Sequence, residues 1–500
     1  MKRFIALTLA VISLLGALAG CAPVEEQPAE TTVAPETDPI AEPVTEPDTT
    51  IRIGETPLAE YTVVYGKDYE STAKELAARL GAVCGAELAI KPQSESTGHH
   101  EIAIGVINME ATTGLGMDDF KIAQVQNAES IAIIGGSTYA TDTACARFAK
   151  LFTTEKYKYE FSDLTLAYTL PDRQEYINDF SKLALHWEFY HETPEWMLDF
   201  DEKYAAFNDV DGRLMSCLHR GEMVYYPENS AEGLISAVML GGDMVEIDPR
   251  VTKDGVFILL HDATLTRTTD FAEKAGKNGL PESPNVCDWT YEQLMQLNLK
   301  MGTGGASAKV TPYKIPTLDE AFKVCANRIF IRLDVKGPTD DTPFWNFEKD
   351  IWPLMEKYQS YSNVIYTWHS WFKANSYNLT DTYREKAETL SGKAGIVFIG
   401  DQNTLANNNK IIRAHDFNPG IRLFVNFSDI NYKEYLKNNK TKLDSYKGKL
   451  RTYADVHNGN NESHAFYGEL YEAGINYHLV NKALSLCQYI AANFEATPKN

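Results

Sequence analysis

Two histidine-led pairs, His219-Arg220 and His261-Asp262, bracket Glu228-Asn229 and the carboxylate pair Glu246 and Asp248, all within residues 214–270. Imidazoles titrate near neutrality and can carry protons to and from oxygen. Two carboxylates beside an imidazole suit a hard divalent cation with an acid/base next to it. A guanidinium can hold two phosphate oxygens in a fork. One coherent chemistry follows. A cation neutralises a non-bridging phosphoryl oxygen, Arg220 grips the phosphate, one histidine takes a proton from the nucleophile, and the other protonates the leaving alkoxide.

The elements that must position these groups can be read in turn. Met244-Val245-Glu246-Ile247-Asp248 has the pattern of a strand, so Glu246 and Asp248 share one face. Asp254-Gly255 signals a two-residue hairpin turn. A type I′ turn there pairs residue 252 with 257, 250 with 259 and 248 with 261, which predicts Asp248 and His261 as neighbours. Further strands are expected at 214–219, 329–335, 364–369, 395–399, 421–426, 452–456 and 475–480, with helical patterns between most of them. Thr290-x-x-Gln293 and Thr317-x-x-Glu320 read as capping boxes opening two of the helices. Eight strands alternating with helices describe a (β/α)8 TIM barrel, with the hairpin as an excursion above its rim. Chemistry in such barrels sits at the C-terminal strand ends. His219-Arg220 ends the first strand, Glu246 and Asp248 the second, and Asp334 and Lys336 the third.

Across these residues a family likeness emerges. His219-Arg220-Gly221, Pro227-Glu228-Asn229-Ser230, Val245-Glu246-Ile247-Asp248, Thr252-Lys253-Asp254-Gly255, His261-Asp262 and Arg267-Thr268-Thr269 resemble the glycerophosphodiester phosphodiesterase family in order and spacing. The resemblance is strong over residues 210–340. It implies a phosphodiesterase-type barrel that hydrolyses glycerophosphodiesters to glycerol 3-phosphate and an alcohol. It implies one divalent metal, Ca2+ or Mg2+, on Glu246, Asp248 and a third carboxylate at Asp334. His219 and His261 take the acid/base positions, and Arg220 and Lys336 the phosphate-binding positions. Glu228, Asn229 and Asp262 take supporting positions. In the family the nucleophile is the neighbouring glycerol hydroxyl, and the cyclic phosphate it gives is then opened by water. The chain departs from the family pattern at Asp334, where the family usually has glutamate. It departs again at Thr452-Tyr453-Ala454-Asp455 and at Val480-Asn481, in the last two strands. Tyr226, Trp289, Trp368 and Tyr453 can line an apolar wall around the alcohol or belong to the core.

The rest of the chain supplies context. A net charge of -22 argues against nucleic acid as a partner and leaves a small phosphodiester in need of a local positive centre. Met1-Lys2-Arg3, an apolar run and Leu18-Ala19-Gly20-Cys21 make residues 1–21 a lipoprotein signal peptide that resembles a bacterial lipobox. Lipidation of Cys21 would anchor the chain on a bacterial membrane, outside the cytosol. Residues 22–50, rich in Pro, Glu, Thr and Ala, read as a disordered tether. Residues 51–170 alternate strands and helices and are expected to form a small α/β sandwich domain. Gly135-Gly136 within it reads as a turn, with anion binding as the sharper alternative. Residues 171–210 carry Trp187, Phe189, Tyr190 and Trp196 and are expected to connect this domain to the barrel at 211–500. The seven cysteines show no metal-type spacing, so buried free thiols are expected.

Two other readings stay open at this level. A surface-anchored glycosidase needs two carboxylates and no metal, and leaves both histidines and Arg220 unexplained. A catalytically reduced phosphodiester-binding lipoprotein draws its support from Asp334 and the altered last strands.

Overall fold

Alternating inward and outward positions on an eight-stranded parallel sheet organise the C-terminal half. The computed structural model describes residues 48–105, 114–125, 129–152, 156–184, 194–334, 336, 347–368, 385–393, 396–399, 423–426, 432–448, 452–455 and 462–494. The expected signal peptide, nearly all of the tether, and Trp187, Phe189 and Tyr190 lie outside them.

The first part of the chain contributes β1 (Arg52–Ile53), β2 (Thr56–Pro57), β3 (Thr62–Tyr65), β4 (Ala89–Pro92), β5 (Glu101–Ile104), β6 (Phe120–Gln124), β7 (Ile131–Gly135), β8 (Lys158–Tyr159) and β9 (Leu166–Tyr168). Six of these build one sheet in the order β4-β3-β5-β7-β6-β9. Its first four strands are parallel, and β6 runs antiparallel to β7 and β9. The helices Glu70–Cys84 and Thr138–Lys150 pack on the sheet and on each other, burying Leu76, Leu80, Ala144 and Phe148. Gly135-Gly136 is a plain strand-to-helix turn. Its amides are spent on Thr141 Oγ1 and the Asp119 carbonyl, and Ser137 caps the helix that follows.

The barrel strands are β10 (Met215–His219), β11 (Met244–Ile247), β14 (Phe330–Leu333), β15 (Val364–Trp368), β16 (Ile396–Ile399), β17 (Leu423–Asn426), β18 (Thr452–Asp455) and β19 (Tyr477–Val480). They pair in parallel in the order β16-β15-β14-β11-β10-β19-β18-β17. The first barrel strand therefore lies beside the last, as a closed (β/α)8 ring requires. Both faces of β10, β11 and β19 are buried, which is why they read as nearly continuous apolar runs. Val245, Ile247, Ile331 and Leu333 face outward onto Leu234, Ile235, Leu318 and Phe322 of the helical layer. Met215, Cys217, Met244, Phe330, Ile365, Tyr453, Tyr477 and Leu479 fill the interior. Phe207, on the helix Phe200–Asn208, closes the N-terminal end against Phe330 at 5.2 Å and Tyr477 at 5.9 Å. The two expected capping boxes are both formed. Tyr226, Trp289 and Tyr453 are core residues, each at most 1% exposed. The side chain of Trp368 lies outside the described set. The six described cysteines are free thiols, four of them buried.

The hairpin above the rim consists of β12 (Pro249–Val251) and β13 (Phe257–Leu259), a separate two-stranded sheet. Its register differs from the expected one by a residue: Pro249 opposes Leu259, and Val251 opposes Phe257. The cause is the turn. Thr252 donates to Val256 O, so Lys253, Asp254 and Gly255 form a three-residue loop with Gly255 left-handed at φ +82. A type I turn followed by a left-handed glycine is a standard closure for such loops. Asp248 therefore accepts from the amide of Leu260, and His261 does not stand opposite it.

Candidate active site

The inward positions at the C-terminal strand ends carry polar groups where the lower layers carry apolar ones. His219 is in register with Glu246, and Glu246 with Arg332. One pleat beyond lie Asp248 and Asp334. Each of Glu246, Asp248 and Asp334 brings a carboxylate oxygen within 4.8 Å of the others. Glu246 and Asp248 are buried. Burial, and then repulsion from Asp248 and Asp334, push the Glu246 carboxyl well above its ordinary range, with Arg220 and Arg332 opposing.

The loop after β10 is shaped to aim its side chains at this trio. Arg220 and Asn229 both hold left-handed backbone, at φ +55 and +56. This conformation costs a non-glycine residue energy and persists only where the surroundings enforce it. Gly221, at φ +90, lets the chain pass Gly233 so closely that a Cβ would sit 3.0 Å from its backbone. Ser230 then caps the helix Ala231–Met239. As a result the Asn229 side chain donates to Asp248 Oδ2 at 2.8 Å and accepts from the Asp248 amide at 3.1 Å. The Arg220 amide donates to Glu246 Oε2 at 3.3 Å. Its guanidinium donates to Glu228 Oε2 at 3.0 Å and lies 3.2 Å from Asp248 Oδ2. Lys336 donates to Asp334 at 2.6 Å and sits 3.2 Å from Asp248 Oδ1. Burial opposes its charge, but Asp248, Asp334 and Glu246 outweigh that and hold the ammonium charged beyond its usual range. Asp248 Oδ1 lacks hydrogen-bond geometry to any partner despite its burial.

The histidines are held differently. His219 Nδ1 donates to Asn481 Oδ1 at 2.8 Å, which turns Nε2 inward, 3.8 Å from Glu246. His261 Nδ1 bonds Asp262 at 2.7 Å, and Arg250 grips the His261 carbonyl. Asp262 in turn accepts two bonds from Arg267, which also forks onto Glu228. A continuous chain of ion pairs thus links His261 to Arg220 and the trio. Burial works against the Asp262 charge, yet the bonds from His261 and Arg267 hold its carboxyl far below the ordinary range.

His219, Arg220, Glu228, Asn229, Glu246, Asp248, His261, Asp262, Asp334 and Lys336 therefore belong to one connected rim network. Asn481, Arg250 and Arg267 were not assigned a role by sequence reasoning. Arg267 was visible within its motif. The partners of Asn481 and His219 are 262 residues apart, and no local pattern announces that bond. Three convergent carboxylates, with one buried oxygen that makes no hydrogen bond, form a donor set that fits a hard divalent cation.

Comparison with known proteins bears on residues 219–422, which match the model of the glycerophosphoryl diester phosphodiesterase family. That segment belongs to this family. It includes each rim residue named above except Asn481. Glycerophosphodiester phosphodiesterase 1 of Rattus norvegicus is 35% identical over 129 residues, 26% of this chain and 35% of the relative. Glycerophosphodiester phosphodiesterase of Caldanaerobacter subterraneus is 32% identical over 120 residues, 24% of this chain and 44% of the relative. The chain thus spans well under half the length of these curated relatives. A crystal structure of a glycerophosphoryl diester phosphodiesterase from Parabacteroides distasonis aligns over 60% of this chain and 94% of its own, with 21% identity and a TM-score of 0.41.

Proposed function

We propose that the barrel hydrolyses glycerophosphodiesters to glycerol 3-phosphate and an alcohol, with one divalent cation, Ca2+ or Mg2+, on Glu246, Asp248 and Asp334. The observation that carries this reading is the convergence of those carboxylates, with Arg220 and Lys336 on Asp248 and His219 Nε2 turned toward Glu246. Held by Glu246, Asp248 and Asp334, the cation would supply charge neutralisation for the phosphate. Arg220 keeps guanidinium hydrogens for the phosphate beyond those spent on Glu228, and Lys336 adds a point charge. His219, with its proton fixed on Nδ1 by Asn481, presents Nε2 as a proton acceptor. His261, with Nδ1 on Asp262, presents its other nitrogen to the departing alkoxide. Either histidine can serve as acid or base, according to which side the alcohol leaves.

Glycerophosphocholine, glycerophosphoethanolamine and glycerophosphoglycerol, assayed beside a panel of aryl glycosides, test the reading. Release of glycerol 3-phosphate from at least one diester is the expected result. Cleavage of glycosides alone, or bound diester with no product over hours, would overturn it. Because Asn481 orients the ring of His219, Asn481→Ala is expected to lower kcat by about 10- to 100-fold, the usual scale for loss of such an orienting partner. An unchanged kcat in the folded variant would remove that role.

We also propose that the protein is held on a membrane outside the cytosol through a lipidated Cys21. The chain's Leu18-Ala19-Gly20-Cys21 supports this. In a bacterial host, Cys21→Ala is expected to move the protein from the membrane to the soluble fraction. Retention in the membrane fraction would reject the anchor.

A further inference from the structure

The rim network leaves one large feature unused, the seam between the sheet of residues 62–168 and the barrel. That seam lies at the active-site end. Tyr139, in the first turn of the helix Thr138–Lys150, meets the ring of Tyr226 edge-on at 5.8 Å. Tyr226 in turn packs against Tyr313 at 5.9 Å. The Tyr313 hydroxyl donates back across the seam to Asp118 Oδ1 at 2.9 Å. Asp118, Tyr226 and Tyr313 are all buried. Burial pushes the Asp118 carboxyl up to about 7, with the hydrogen bond from Tyr313 opposing. At the seam's edge Lys309 Nζ reaches Thr138 Oγ1 at 2.8 Å.

Two rim loops are pinned by these contacts. Tyr226 is two residues from Glu228 and three from Asn229, the side chain that grips Asp248. Lys309 and Tyr313 follow the segment whose Gly302 carbonyl accepts the Glu228 amide at 2.9 Å and whose Thr303 carbonyl takes the Arg267 guanidinium. Met301 closes that segment by donating to Lys309 O at 2.8 Å. Both supports of Glu228 therefore rest on the same foreign surface.

We propose that the N-terminal sheet domain braces the active-site rim, with Tyr139 and Asp118 acting as positioning residues that fix Tyr226 and Tyr313 and, through them, Glu228 and Asn229. Only the effect on turnover rests on the activity proposed above; the ordering of the rim stands apart from it.

Hydrogen exchange of the Glu228 and Asn229 amides in the full chain reads the brace directly, since these amides bond Gly302 O and Arg220 O. Tyr139→Ala and Asp118→Ala are each expected to speed their exchange by about tenfold, the scale of one lost aromatic or buried polar contact. Exchange in the barrel strands stays at the wild-type rate. Tyr139→Phe keeps the ring and is expected to behave as wild type. Lys74→Ala, in an exposed pair with Glu70, should do the same. If Tyr139→Ala disturbs the whole chain, Tyr139→Leu keeps the apolar bulk and reads the same loop. Unchanged protection of Glu228 and Asn229 in the folded variants would overturn the brace. Faster exchange in a protein that turns over no diester would leave the brace standing and remove the proposed activity instead.

Discussion

Replacing His219 or His261 with alanine is expected to lower kcat on a glycerophosphodiester by about 100- to 10,000-fold, the range of a positioned acid or base. The two losses should differ in kind. His219 is buried, and its ring is tied to Asn481 and faces Glu246. Its removal should also disturb cation affinity, because the ring stands 3.8 Å from a Glu246 carboxylate oxygen. The side chain of His261 is 37% exposed and tied outward to Asp262, so its loss should leave cation affinity unchanged. Steady-state kinetics combined with calorimetric titration of the cation separates the two. Full turnover by either folded variant would remove that histidine from the chemistry.

Chelation is expected to abolish turnover, with restoration by Ca2+ or Mg2+. A cation on a phosphoryl oxygen contributes several kcal/mol to the transition state, so the loss should be about a thousandfold or more. The geometry explains why the protein's own charges are a poor substitute. Arg220 and Lys336 both approach Asp248, and Lys336 also takes Asp334. Glu246, by contrast, receives one long bond from the Arg220 amide and is pushed toward its neutral form. A divalent ion among the three would relieve that repulsion. Asp334 reaches the group although it is one methylene shorter than the family's usual glutamate. The shorter side chain therefore does not by itself break the trio. Turnover that persists in excess chelator would reject the cation's role.

Much of this was legible in the sequence, and the reasons are local. Barrel strands buried on both faces appear as apolar runs, and β10, β11 and β14 each end in charged or imidazole groups at inward positions. Capping boxes at Thr290 and Thr317 need only three residues of context. The hairpin register failed for an equally local reason. Asp254-Gly255 suits a two-residue turn, but Gly255 instead closes a loop that includes Lys253, and a slip of one residue moves His261 off Asp248. What no pattern could announce were long-range bonds. Asn481 on His219 depends on the barrel fold. So does the seam that joins Asp118 to Tyr313 across 195 residues.

Cation stoichiometry tests the central claim most directly. Calorimetric titration of Ca2+ or Mg2+ into the metal-stripped wild-type chain is expected to give one site, and into Asp248→Asn and Glu246→Gln none, with all three proteins folded. Binding that survives both substitutions, or a wild-type chain that turns over diesters while binding no divalent ion, would contradict the account.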